Sequence, residues 1–147
     1  MELKIYENML TIASMQSLRV SCELSLIEPD MIKKALSRSL LNLTAVVDDS
    51  VVGMLRVVGD GIFVFVLCDI MVMPEYRNHG IASALISYSL KCIEHMLPSG
   101  FVGVVSLFSV KEHVKLYKRL GFTPLPRGSR GPGMQLNVIG SEKQFLI

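Results

Sequence analysis

One apolar run, Ile62 to Met73, constrains this chain more than any other feature. It is interrupted only by Asp69. A run so continuous lacks the alternation of a half-exposed strand and the polar gaps of a surface helix, so it reads as a central strand buried on both faces. Pro74 stops it. Beyond Gly80 the period changes: Ile81, Leu85, Tyr88, Cys92 and Met96 recur at helical spacing until Pro98, Ser99 and Gly100 end the helix. Phe101 to Leu107 then reads as a second buried strand. Two strands joined by so long a crossover are parallel neighbours with a right-handed connection.

Around this unit the remaining elements fall into place. Leu3 to Tyr6 reads as a first strand and Leu10 to Cys22 as a helix. Asp30 is placed to cap a short helix whose stripe is Met31, Ile32, Ala35 and Leu36. Thr44 to Val47 and Val51 to Val58 are valine-rich strands, and the Asp48, Asp49 and Ser50 between them favour a tight antiparallel turn. Val114, Tyr117 and Leu120 line one side of a later helix, which Gly121 closes. Pro124 to Gly133 reads as a loop and Met134 to Ile139 as a last strand. The expected fold is α/β, a single mixed, largely antiparallel sheet with helices packed on it, forming one domain over residues 1–147.

Half the residues are hydrophobic, yet no apolar stretch approaches the roughly 20 residues of a spanning helix. Glu2, Lys4 and Glu7 interrupt the start, against a secretory signal. A cytosolic protein with no membrane partner is expected. Cys22, Cys68 and Cys92 are far apart among apolar neighbours and read as small core hydrophobes. A net charge of +2 does not argue for a nucleic-acid partner. His79, His95 and His113 form no metal-ligand spacing, and no metal is expected.

Chemistry-bearing residues cluster at two points. The first is the strand-to-helix turn Pro74-Glu75-Tyr76-Arg77-Asn78-His79-Gly80-Ile81-Ala82-Ser83. Helix starts present unpaired N–H groups and the positive dipole end, so a turn of small residues there can hold a phosphate. An ordinary connecting loop has the same composition, and both readings stand on the residues alone. The second is Val114 to Phe122, where Tyr117 lies on the apolar stripe with a phenol that can give or take a proton. A core aromatic with a polar tip is the alternative.

Taken in this order, the two clusters resemble the GNAT superfamily of N-acetyltransferases. Arg77, Gly80 and Ala82 match its R/Q-x-x-G-x-G/A signature, and Leu116, Tyr117, Gly121 and Phe122 match its L-Y-x-x-x-G-F segment. The stretch from Leu36 to Met134 is also similar to a bacterial subgroup of uncharacterised members. The resemblance implies acetyl-CoA as co-substrate and a splayed parallel strand pair in the middle of the sheet, with helices on both faces. It implies that pantetheine bonds to the backbone of Met71 and Met73, flanking Val72. The pyrophosphate would sit on the N–H groups of Asn78, His79, Gly80, Ile81, Ala82 and Ser83, beside Arg77. Tyr117 corresponds to the residue that protonates the departing thiolate. Many members have glycine where this chain has Asn78, and asparagine where it has Val110.

An amine acceptor must lose a proton before it attacks, and Asp69 is the candidate base. A carboxylate within an apolar strand is costly unless paired, so an aspartate satisfied by an arginine such as Arg56 is the structural alternative. The oxyanion falls to the strand N–H near Met71. Among the cations Lys111, Lys115, Lys118, Arg119, Arg127 and Arg130 stands a single acid, Glu112. Solvent and coenzyme A, with Lys118 among the cofactor-binding residues, account for them better than RNA, because no aromatic surface interleaves the charges. The leading function is an N-acetyltransferase acting on a primary amine of a small molecule or protein. The alternative is a non-catalytic acyl-CoA-binding module acting through a protein partner. A homodimer is left open.

Overall fold

Asp48 and Asp49 take positive φ values of 48° and 63°. Two successive left-handed residues make the turn whose twist suits an antiparallel hairpin. They join β2 (Leu41–Val47) to β3 (Ser50–Gly59). The computed structural model describes residues 1–141. In chain order its other elements are β1 (Leu3–Glu7), α1 (Ile12–Ser21), α2 (Pro29–Ser37), β4 (Val64–Val72), α3 (Ile81–Met96), β5 (Val104–Ser106) and α4 (Val114–Arg119). The strands form one sheet in the order β1-β2-β3-β4-β5, antiparallel except for the parallel β4–β5 pair.

Both faces of the sheet are covered. Leu43, Ala45, Leu55, Val57, Phe65 and Leu67 pack with Ile81, Leu85, Ile86 and Ile93 of α3 on one face. Met54 and Met71 pack with Met15 and Leu18 of α1 and Ile32 of α2 on the other. Thr11 caps α1, its hydroxyl accepting from the Ser14 N–H at 3.0 Å. The expected cap of α2 is corrected. Glu28 holds that place, accepting from the Asp30 N–H, and Pro29 opens the helix where its missing N–H costs nothing.

A bulge reshapes β4. Met54 stands opposite Met71 and Arg56 opposite Cys68, so Leu55 alone faces Asp69 and Ile70. Asp69 takes φ 51°. The extra residue reverses which side chains face α3: Phe65 and Leu67 do so before it, Ile70 and Val72 after it, and Met71 turns to the α1–α2 face.

Several expectations change at the edges. Ile62 and Phe63 are exposed and lie before β4, where the Asp60 carboxylate accepts from the N–H groups of Ile62, Phe63 and Val64. β4 is therefore shorter than the apolar run and only partly buried. The strand expected over Phe101 to Leu107 shrinks to Val104–Ser106, with no described strand on its outer side. Met134 to Ile139 runs as exposed irregular chain, not as a strand. The parallel pair consequently lies at one edge of the described sheet rather than in its middle.

Candidate functional site

β4 and β5 pair only from Val64–Val104 to Val66–Ser106. β4 continues to Val72 without a described strand partner on that side, which leaves a gap beside its second half. The Met73 N–H donates to the Val52 carbonyl at 2.8 Å, and Met71 lies opposite Met54, so both residues turn their backbone groups toward β3. Strand alternation then turns Ile70 and Val72 toward the gap. Ile70 and Val72, rather than Met71 and Met73, thus present backbone groups to the gap. The shift could not be read from the sequence, because it follows from the bulge and the hydrogen-bond register.

The gap runs into the turn before α3. Pro74 to Tyr76 form a single 3-10 turn, Asn78 adopts φ 64° and Gly80 φ 77°. A Cβ at Gly80 would meet no atom within 4 Å, but the left-handed backbone would strain any side chain. Gly80 is the N-cap of α3 and gives no side-chain cap; the first turn holds no acid. The first helical bond is Ala84 N–H to the Gly80 carbonyl at 3.0 Å, so the N–H groups of Ile81, Ala82 and Ser83 precede the helical ladder. His79 lies in the loop with Nδ1 2.8 Å from the Arg77 carbonyl and 3.2 Å from that of Tyr76, which suits Nδ1–H as donor. Arg77 turns back on the strand, its Nε donating to the Val72 carbonyl at 3.1 Å and its Nη2 lying 3.4 Å from Cys22 Sγ. The contact with Cys22 joins residues far apart in sequence, and no local pattern signals it.

Tyr117 is 9% exposed and belongs to the core on the α3 face. Its ring meets Phe122 edge-on at 6.0 Å between centroids. Burial pushes its phenol above the ordinary value, so it remains a proton donor at neutral pH. Lys118, next to it on α4, is exposed.

Asp69 is not isolated among apolar residues. Its Oδ2 accepts from Arg56 Nε at 2.8 Å, and Arg56 Nη1 also reaches Ser39 Oγ at 3.2 Å and the Ala35 carbonyl at 3.4 Å. The arginine named as the structural alternative is thus the partner observed. Asp69 and Arg56 also line a cavity of about 250 Å³ on the α1–α2 face. The two candidate residues therefore lie on opposite faces of the sheet, Tyr117 on the α3 face and Asp69 with its cavity on the α1–α2 face, with β4 between them. Among the described residues, no group of three or more His, Cys, Asp or Glu is arranged to hold a metal ion, and no helix is long and apolar enough to cross a membrane.

Comparison with known proteins agrees with this geometry. The acetyltransferase (GNAT) domain family model matches residues 40–124. A chloroplastic GCN5-related N-acetyltransferase 2 from Arabidopsis thaliana is 32% identical over 84 residues, 57% of this chain and 31% of that protein. An uncharacterised ycf52-like N-acetyltransferase from Prochlorococcus marinus is 30% identical over 103 residues, 67% of this chain and 55% of that protein. The chain thus spans about a third to just over half the length of these relatives. Among solved structures, a protein of unknown function from meticillin-resistant Staphylococcus aureus superposes with a TM-score of 0.80 at 27% identity, covering 93% of this chain and all of that one. A GNAT-family acetyltransferase from Streptococcus pneumoniae gives a TM-score of 0.76 at 25% identity, covering 92% and 98%. With its family match extending over more than half its length, and around β4 and its helix, this chain belongs to the GNAT acetyltransferases, whose co-substrate is acetyl-CoA.

Proposed function

We propose that the chain moves the acetyl group of acetyl-CoA onto a primary amine by direct attack, in the cytosol, where the free thiols of Cys22, Cys68 and Cys92 persist. The observation that carries this reading is the end of β4–β5 pairing at Val66 and Ser106, which leaves the second half of β4 open where it leads into the turn before α3, a helix with no side-chain cap and no acid in its first turn. The backbone of Ile70 and Val72, without a described strand partner on that side, suits the amide groups of pantetheine once Arg77 leaves the Val72 carbonyl. The first-turn N–H groups from Ile81 to Ser83, with Asn78, His79 and Gly80 before them, suit a pyrophosphate; Arg77 adds charge once released from Val72. Lys118 is exposed on α4 and is the cation assigned to the nucleotide end.

Acetyl-CoA supplies an activated acyl carbon. The Ile70 N–H, turned into the gap, is the donor for the oxyanion. Asp69 receives the amine's proton through its second oxygen or through water, and the Tyr117 phenol gives a proton to the departing thiolate. One observation favours the alternative of a non-catalytic acyl-CoA-binding module: Asp69 is already engaged by Arg56. Calorimetry with acetyl-CoA and a thiol-release assay over a panel of amines separate the two. Binding with turnover of some amine is expected; binding without turnover across the panel would favour the module. Gly80→Glu, which brings strain and a negative charge to the turn, should abolish binding while circular dichroism stays native. Unchanged affinity would remove the cofactor assignment.

A further inference from the structure

The cavity beside Asp69 has a chemical character of its own. Met15, Ile27, Met31, Ile32 and Ala35 give it an apolar lining, drawn from α1, the α1–α2 connection and α2. Arg19, Arg56 and Asp69 complete it. Its volume, about 250 Å³, is below the range of roughly 300–1,000 Å³ that holds drug-sized ligands, so its occupant is small.

The walls are held before any ligand arrives. Gln16 of α1 clamps the connection to α2 on both sides, its Nε2 donating to the Ile27 carbonyl and its Oε1 accepting from the Ile27 N–H at 3.2 Å. Arg19 Nε donates to the Ser25 carbonyl at 2.9 Å, which fixes the stem of that guanidinium and leaves its two Nη groups without a partner among the described residues. Asp69 uses Oδ2 for Arg56, and its Oδ1 has no described partner. Among the residues lining this small, mostly apolar cavity there are thus one carboxylate oxygen and one guanidinium edge without a described partner.

Two guanidinium groups against one carboxylate leave an excess positive charge. A polycation, such as a polyamine or an aminoglycoside, would meet this excess and find a single carboxylate. A molecule bearing one ammonium, one carboxylate and an apolar body would satisfy each open group and the lining between them. We propose that the acceptor is a free α-amino acid with an apolar side chain of about leucine or methionine size. Its ammonium meets Asp69 Oδ1, its carboxylate meets Arg19, and its side chain lies against Met15, Ile27, Met31 and Ile32. The two methionines adapt to linear or branched side chains.

This inference rests on the acetyl-transfer reading for its chemistry. The ammonium loses one proton to Asp69, which passes it to solvent; the neutral amine then bonds to the acetyl carbon as the carbon–sulfur bond breaks, and the second proton, shed from the nitrogen after attack, restores the Tyr117 phenol. Coenzyme A leaves as the thiol, with the proton from Tyr117. The product is an N-acetylamino acid, which no longer carries the ammonium that Asp69 holds.

The test measures binding apart from turnover. L-methionine, L-methioninamide, a methionyl dipeptide and spermidine are titrated by calorimetry into the protein, with and without coenzyme A. Thiol release from acetyl-CoA is then followed with the same four. L-methionine should bind at least about tenfold more tightly than the other three and be turned over preferentially. Arg19→Gln should remove that preference and Arg19→Lys should keep most of it, with acetyl-CoA affinity unchanged in both. Met31→Glu, at the exposed lip, should weaken methionine binding without touching Arg19. Equal binding of the amide or dipeptide, stronger binding of spermidine, or an Arg19→Gln variant that still prefers methionine would overturn the assignment. A protein that binds methionine in this manner but not acetyl-CoA would overturn the acetyl-transfer reading and leave the cavity assignment standing.

Discussion

Tyr117 has a buried ring, and that burial raises its phenol above an ordinary value at which it is already protonated at neutral pH. Tyr117→Phe keeps the ring against Phe122 and removes only the hydroxyl. Positioned acids contribute about 10²–10⁴-fold, so kcat should fall at least about tenfold, with acetyl-CoA affinity within a few-fold of wild type and the thermal midpoint little changed. Equal kcat in both proteins, with chemistry shown to limit the rate, would retire Tyr117 as the acid. A second residue gives a pH signature. The Cys92 thiol is pushed up from 9.0 to about 11 by desolvation, then by the hydrogen bond and charge of Glu7. Below pH 9 the thiol is protonated in both folded and unfolded chains, and its contribution is fully present. Between pH 9 and about 11 the unfolded chain ionises first, so stability falls across that window. Cys92→Ala should show a shallower loss of denaturation midpoint from pH 9 to 11 than wild type; identical slopes would show that Cys92 is not the group responsible.

At the scale of elements, β4 carries the most consequence per residue, because its bulge decides which backbone groups face the gap. Asp69→Asn retains a residue type that tolerates the left-handed region and can still accept from Arg56, so the chain should fold while turnover at neutral pH drops. Asp69→Ala loses both properties. It should be destabilised by about 2 kcal/mol or more in chemical denaturation, since it adds backbone strain and leaves Arg56 with no carboxylate. An alanine variant as stable as the asparagine variant would show that the bulge does not need Asp69. This bulge also marks the limit of what the sequence made legible. The strand, turn and helix from Val64 to Met96 were readable because their signals are local: an apolar run, Pro74, Gly80 and a helical period. The family signature around Arg77, Gly80 and Tyr117 was readable for the same reason. The facing of Ile70 and Val72 was not, because one extra residue reverses a period of two and only the pairing with β3 reveals it. The short β5 and the cavity were equally hidden. The first depends on which strands find partners, and the second joins α1, α2, β3 and β4 through side chains distant in sequence.

The whole molecule leaves two unpaired features side by side. β5 pairs with β4 alone among the described strands, so one row of its backbone groups has no strand partner. A Cβ built at Gly133 would lie 3.2 Å from the Phe108 ring, which puts the start of the following segment close to the chain leaving β5. That segment, Met134-Gln135-Leu136-Asn137-Val138, alternates apolar and polar residues, and Met134, Leu136, Val138 and Ile139 are each at least 85% exposed. An open edge beside a strand-like apolar segment favours pairing between chains, and a net charge of only +2 opposes it weakly. The protein should therefore self-associate as its concentration rises. Leu136→Lys combined with Val138→Lys adds charge where wild type exposes apolar surface, so the variant should sediment as a monomer at concentrations where wild type does not. Because those side chains are almost wholly exposed, its thermal midpoint measured at low concentration should match wild type. A wild-type protein that sediments as a monomer throughout its soluble range would show that this edge is already protected. A monomeric variant with a much lower midpoint would show instead that Leu136 and Val138 support the fold of their own chain.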